Sequence, residues 1–391
     1  MKSMNLTNEN TNNETVYVFG AGRVAKSMYR VLEENGITVE SFLVSDVREN
    51  VDYLEEKSVI SADSPACDRS KKVQIAVVER GQKRIRPYLE SLGYKNIIDC
   101  PKDALELDSW EYARARSPII EVTAKIGCSV NCRYCPQKML VSRYYKDNPK
   151  RKGVMTLEDY KGYLDKCPNN TIVDFSGFVE PFLISDSIKM MEYTYITGHE
   201  MTLFTTLRGL SIEQAKHVIS MPFKYVCLHT PDKDGYASIP MTDEYFKVLE
   251  LFLDAKKSSG EPFIDAANCQ SEPHPNVVKM TQGRLKIYCE MSDRAGNLDE
   301  EDPFLSHVKT AGRIYCSRAI KLNHNVLLPD GSLALCCNDF GLDNILGNLN
   351  TQSYDEIMQG ESLIRVKRAM HINLEDELIC RKCMFAEKID D

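Results

Sequence analysis

The chain has 391 residues, 43% of them apolar, and a formal net charge of −8, which gives length for two or three domains and a buried core. An acidic chain with no basic stripe argues against a nucleic-acid partner, because phosphate neutralisation supplies most of that affinity. No apolar run approaches the ~20 residues of a membrane span.

The lead over residues 1–14, "MKSMNLTNENTNNE", has no apolar signal-peptide core and reads as disordered. A cytoplasmic location is expected. There the fourteen cysteines stay as thiols or ligate metal, because that compartment does not sustain disulfides.

Residues 15–105 read as an α/β domain with a parallel sheet. The predicted strands are "TVYVF", "ITVESFLVSD", "VQIAVV" and "KNIIDC". A helix follows the first strand, spaced by Val24, Met28, Val31 and Leu32, and a second, "IRPYLESLG", ends at Gly93. The unit amounts to about half of a dinucleotide fold. Between strand and helix lies Gly20-Ala21-Gly22-Arg23-Val24-Ala25, a GxGxxA turn, with Asp46 some two dozen residues on. Such glycines let backbone approach a pyrophosphate at a helix N-terminus. Gly20, Gly22 and Asp46 are therefore candidate contacts to a nucleotide or nucleotide-linked sugar; the alternative is a turn that merely joins strand to helix.

Residues 116–305 alternate strand and helix six times, which predicts a partial (β/α)6 TIM-like barrel of parallel strands. The strands are "PIIEVTA", "TIVDFSG", "MTLFTTL", "FKYVCLHT", "FIDAANC" and "RLKIYCEM". Thr156-Leu-Glu-Asp and Ser211-Ile-Glu-Gln predict capped helix starts. The chemistry of such folds gathers at the C-terminal ends of the strands. Directly after the first strand comes "KIGCSVNCRYC", which places Cys128, Cys132 and Cys135 within eight residues. Zinc usually takes four ligands, and no fourth lies nearby. Three thiolates on an iron–sulfur cube leave one iron open.

Cys128-x3-Cys132-x2-Cys135, with Tyr134 before the last cysteine, resembles the radical S-adenosylmethionine (radical SAM) enzymes. In that family the open iron of a [4Fe–4S] cluster is chelated by S-adenosylmethionine (SAM), and one electron releases a 5′-deoxyadenosyl radical. "DFSGFVEPFL" is similar to the family's glycine-glutamate-proline segment, with Val179 where a glycine is usual. The resemblance implies that Gly177 and Glu180 hold the SAM amino group, that Tyr134 lies against the adenine and that Thr206 in "FTTLRG" touches the ribose. It also implies a reductant such as flavodoxin or ferredoxin.

Residues 306–391 read as a small cysteine-rich domain. "NVLLPDGSLAL" is a hairpin signal with a Pro-Asp-Gly turn. Cys316, Gly331 and Cys336 follow the spacing CxnGx4C, and Cys380-x2-Cys383 supplies a second pair. This resembles the SPASM and Twitch auxiliary-cluster domains of the same superfamily and implies one further [4Fe–4S] cluster. A zinc site is the alternative, and Cys337 competes with Cys336 as ligand.

The expected activity is hydrogen abstraction from a sugar or cyclitol carbon, giving a ketone or an epimer, with a small-molecule or nucleotide-linked substrate. Cys227, Cys269, Cys289 and Cys337 are candidates for returning hydrogen, or else inert thiols. His229 is a candidate base, and Arg294 and Asn297 in "SDRAGN" are candidate grips on SAM or substrate. Peptide modification by thioether formation or residue oxidation is the alternative enzyme, and a non-catalytic metal scaffold the alternative class.

Overall fold

The computed structural model describes residues 15–99 apart from 35, 48, 49, 51 and 78, together with 117–289, 292–298, 305, 307–371 apart from 320, and 377–389. The expected lead over 1–14 and the boundaries at 105–116 and 306 lie outside the described residues. Two compact units divide the chain, one ending at Ala113 and the other beginning at Arg114.

The first unit runs β1 (Thr15–Phe19), α1 (Arg23–Glu34), β2 (Thr38–Val44), β3 (Tyr53–Leu54), β4 (Lys57–Ser61), β5 (Lys72–Ile75), α2 (Glu79–Ser91) and β6 (Ile97–Ile98). Its strand order is β3-β4-β2-β1-β5-β6, with every pairing parallel except the β3–β4 ribbon. β1 is apolar and buried from Val16 to Phe19 because both its faces are covered. Val16 and Val18 pack with Met28 and Leu32 of α1, while Tyr17 and Phe19 pack with Leu89 of α2 and with Tyr94.

Five parallel strands reversing direction of travel between β1 and β5 are more than half of a dinucleotide fold, so the sequence reading was too small. It missed β4, whose "KSVIS" is too polar and too short to stand out from a loop.

The second unit begins with β7 (Ile119–Val122), α3 (Gln137–Tyr145), α4 (Leu157–Leu164), β8 (Ile172–Phe175), α5 (Ser187–Ile196), β9 (Glu200–Thr205), α6 (Ile212–Ile219), β10 (Phe223–His229), α7 (Asp243–Asp254), β11 (Ala266–Asn268), α8 (Pro275–Thr281) and β12 (Ile287–Tyr288). All six predicted strands are present, parallel and adjacent in chain order. They make an open partial barrel. Thr156 and Ser211 close capping boxes with Asp159 and Gln214, as expected. Helices α3 and α8 were not foreseen.

Strand alternation sorts the barrel's two faces. Ile120, Val122, Val173, Phe175, Met201, Leu203, Val226 and Leu228 join the large apolar core beneath the helices. The residues between them face the other way, and the register sets Glu121 beside Asp174, Asp174 beside Thr202, and Thr202 beside Tyr225. The next row on that face sets Phe204 beside Cys227.

The chain ends with β13 (Ile314–Cys316), β14 (His324–Leu327), β15 (Ser332–Ala334), β16 (Ile345–Asn348), α9 (Tyr354–Met358), α10 (Glu361–His371) and β17 (Ala386–Lys388). The predicted hairpin is β14–β15, turning where Gly331 donates to the Leu328 carbonyl at 3.0 Å. The third section set apart from residue 306 in the sequence in fact builds onto the barrel. β14 pairs in parallel with β7, so one nine-stranded sheet runs from β12 to β16. β13 and β17 form a separate antiparallel pair.

Candidate metal centres

The loop from Gly127 to Pro136 carries the first three cysteines and is clamped from several directions. The Ser238 N–H donates to the Val130 carbonyl, and the Arg133 N–H to the Tyr236 carbonyl, each at 2.7 Å. Arg208, just past β9, donates to the carbonyls of Ser129 and Ser238. Asp232 folds the clamping segment by accepting the backbone N–H groups of Asp234, Tyr236 and Ala237. None of these anchors was read from the sequence, because each acts across a fold contact.

Burial pushes the Cys132 thiol up to about 12, aided by Cys135 and Cys128 and opposed by a Gln270 hydrogen bond. Burial also raises Cys135, while Gln137 and Arg294 oppose it. Such thiols keep their protons until a metal takes their place. Among the described residues no three cysteines bring their sulfurs within 4.8 Å of one another, whereas one tetrahedral zinc holds its thiolates about 3.8 Å apart.

Gly177 takes φ +62°, and a Cβ there would lie 2.4 Å from the Thr123 hydroxyl and 2.9 Å from the Val122 carbonyl. The same hydroxyl accepts the Phe178 N–H at 2.8 Å, tying the turn to β7. Gln137, two residues after Cys135, donates to the Phe178 carbonyl at 2.6 Å and to the Cys135 sulfur at 3.4 Å.

Glu180 is buried, and its four acceptor positions are filled by the chain. Oε1 accepts from the Thr205 hydroxyl at 2.6 Å and the Phe182 N–H at 3.3 Å. Oε2 accepts from the Thr206 N–H and hydroxyl, both at 2.7 Å. Glu180 thus fastens the end of β9 to its own turn, and the Thr206 hydroxyl expected at a ribose is spent on it. Thr205 was missed because nothing in the sequence sets it apart from its neighbour Thr206. Val179 packs into the apolar core.

At the rim, burial and then Arg294 push the His229 imidazole down to about 4. Arg294 donates to the Tyr134 carbonyl at 3.4 Å and its charge reaches Cys132, Cys135 and Cys337. Asn297 is local glue, donating at 2.7 Å to the carbonyls of Arg294 and Asn338. Tyr134 is buried edge-on against Tyr236. Cys227 is buried, Cys269 donates to the Thr230 carbonyl at 3.4 Å, and Cys289 is exposed.

The tail forms a cavity lined by Cys316, Cys336, Cys337, Cys380 and Cys383 among mostly apolar neighbours such as Leu335 and Phe385. Cys380 feels Cys316 and Cys383, and Cys336 feels Cys380. Cys337 accepts from Arg318 at 2.8 Å and packs with a different apolar cluster from Cys336. Burial drives the Cys336 thiol well above its usual value and Cys337 up to about 12.

In the first unit Gly20 has φ +125°, and a Cβ there would meet the Ala76 carbonyl at 2.8 Å; around Gly22 the space is open. The Asp46 carbonyl accepts from the Asn50 amide at 2.6 Å.

Residues 316–384 match the SPASM family, described as an iron–sulfur cluster-binding domain. No curated protein matches. Several solved structures are similar. One is BtrN in complex with AdoMet and 2-DOIA, 15% identical over 70% of this chain and 94% of that one, with a TM-score of 0.43. Another is native anSMEcpe with bound AdoMet, 18% identical over 68% and 86%, TM-score 0.41. A third is Streptococcus suis SuiB bound to S-adenosylmethionine, 12% identical over 79% and 83%, TM-score 0.42. Among the described residues no helix is long and apolar enough to cross a membrane. Three half-buried cysteines thus follow the first strand of an open parallel barrel, and the second cysteine set lies in a segment that matches the SPASM iron–sulfur cluster-binding domain.

Proposed function

We propose that this chain is a radical SAM enzyme with a C-terminal SPASM domain, and that it removes hydrogen from a carbinol carbon of a sugar or cyclitol and oxidises it to a ketone. When bound, SAM and the two clusters would supply a 5′-deoxyadenosyl radical for hydrogen abstraction and a sink for the electron left behind. The first cluster is assigned to Cys128, Cys132 and Cys135, and the second to Cys316, Cys336, Cys380 and Cys383. A reductant of the flavodoxin or ferredoxin kind would provide the first electron.

His229 carries the reading. An imidazole held down to about 4 by burial and Arg294 is neutral at pH 7 and offers a substrate hydroxyl a hydrogen-bond acceptor at the strand end, while its low proton affinity makes it a weak base. Four residues back along β10, the same inward face is polar: the buried Thr202 hydroxyl has no hydrogen-bond partner, and Asp174 and Tyr225 flank it. Hydroxyl-rich substrates can satisfy such groups.

Of the four candidate thiols for returning hydrogen, Cys269 is tied to a carbonyl, Cys337 to Arg318, and Cys289 is exposed to solvent, which leaves Cys227 on the inward face as the thiol that would support epimerisation instead. The open space at Gly22, beside the reversal in strand order where such folds bind nucleotides, supports a nucleotide-linked substrate.

The test is anaerobic incubation of reduced, iron-loaded protein with SAM and separate pools of nucleotide-linked sugars, free cyclitols and peptides, with 5′-deoxyadenosine as readout. Stimulation by a sugar or cyclitol pool, with a carbonyl product, is expected. Stimulation by peptides alone overturns the substrate assignment, and an epimer without net oxidation overturns the outcome.

A further inference from the structure

Arg318 stands between the SPASM cavity and the polar face of the barrel. On one side it lines the cavity with the cysteines. On the other, its Nη2 donates to Glu121 Oε1 at 3.1 Å. Glu121 belongs to β7, is 3% exposed, and also pairs with His324 Nε2 at 2.6 Å. The negative charge of Asp174, on the neighbouring strand, reaches the guanidinium as well. Glu121, Asp174 and His324 bring their ligand atoms within 4.8 Å of one another, yet the direct His324–Glu121 bond and the guanidinium already occupy the space a cation would need. This is a hydrogen-bonded charge network and not a metal site.

We infer that Arg318 sets the reduction potential of the auxiliary cluster, with Glu121 as the carboxylate that positions and partly offsets its charge. The inference rests on the assignment of the cavity to that cluster. Four thiolates on a [4Fe–4S] core carry net negative charge, which deepens on reduction, and the cavity wall is mostly apolar. A fixed cation at that wall favours the more reduced form, since cluster potentials follow net charge, hydrogen bonds to sulfur and exposure. Glu121 does not line the cavity, so the guanidinium is the nearer charge and its sign prevails. Arg318 is thus a positioning residue for electron transfer, raising the cluster's capacity to take an electron from the barrel side.

The two partners give opposite signs, which a merely structural role would not. In the fully iron-loaded protein, redox titration followed by electron paramagnetic resonance (EPR) should show a lower auxiliary midpoint in Arg318→Met. At the wild-type midpoint, the ratio of reduced to oxidised auxiliary cluster should fall about tenfold, which is ~59 mV for one electron. Glu121→Gln should raise the midpoint, and Arg318→Lys should stay close to wild type. The midpoint of the SAM-binding cluster should not follow these changes.

If Arg318→Met assembles poorly, Glu121→Gln and Arg318→Lys still report the sign. An unchanged or raised midpoint in Arg318→Met, or a lowered one in Glu121→Gln, overturns the inference. Failure of the cavity assignment looks different: wild-type protein would then show no second EPR signal that Cys380→Ala removes.

Discussion

Replacing Glu180 by glutamine isolates what its carboxylate does, because size is kept and only one acceptor oxygen is exchanged for a donor. In the native site Oε1 faces the Phe182 N–H and the Thr205 hydroxyl, and Oε2 faces the Thr206 N–H and hydroxyl. Hydroxyls can turn and accept from an amide, but backbone N–H groups cannot. Either orientation of the new side chain therefore strands one buried N–H. The longer 3.3 Å Phe182 contact is the one the amide should give up.

A stranded buried donor costs about 1–3 kcal/mol, and the two bonds kept at Thr206 lose their ionic reinforcement. Relief from burying a charge offsets part of this, since burial raises the Glu180 pKa despite four donors. A net loss of about 2 kcal/mol lowers the unfolding midpoint of a domain this size by roughly 4–8 °C. The assay is anaerobic thermal unfolding of iron-matched wild type and Glu180→Gln, with 5′-deoxyadenosine release measured on the same samples. Release should fall with the midpoint, because Thr206 and the turn lose their tie. A variant with the wild-type midpoint and unchanged release would refute the view that Glu180 organises the end of β9.

Four further predictions come from the same sites. With its imidazole near 4, His229 should leave kcat/KM without a break at about 6.5, the ordinary histidine value, and level down to about pH 5; a break there refutes its neutral state. The native chain refuses a proton that the unfolded chain accepts below 6.5, so stability is complete above 6.5 and lost as pH falls towards 4. That slope, read from unfolding midpoints across pH, should flatten in His229→Asn. Gly177→Ala combines a left-handed backbone, ~1–2 kcal/mol, with an overlap costing ~1–3 kcal/mol. It should be much less stable to denaturant than Gly22→Ala, which meets nothing within 4 Å, and equal stabilities would sink the argument. Cys336→Ser and Cys383→Ser should lose about four iron atoms per chain while Cys337→Ser keeps them; iron assay decides, and equal loss at Cys337 removes the distinction.

Local signals were legible in the sequence, and contacts between distant segments were not. The boxes at Thr156 and Ser211 need only residues three apart, and the six barrel strands carry apolar runs of their own. The polar β4 had no such run. Glu121 lies far along the chain from Arg318 and His324, and nothing in any one of their segments announces the other two. Thr205 and Thr206 look alike in "FTTLRG"; only the turn around Glu180 shows that both donate to it. Cys336 and Cys337 are neighbours whose separate surroundings appear only once the tail is folded.

The parallel pairing of β14 with β7 also bears on how this protein can be taken apart. A barrel shortened before His324 would keep its six strands but expose the backbone of β7 along an uncovered edge, an open invitation to sticky pairing between molecules. A tail expressed alone would face the same hazard along β14. Chimaeras that trade tails between relatives therefore need their junction chosen around this seam, with β7 and β14 inherited from one parent as a matched set.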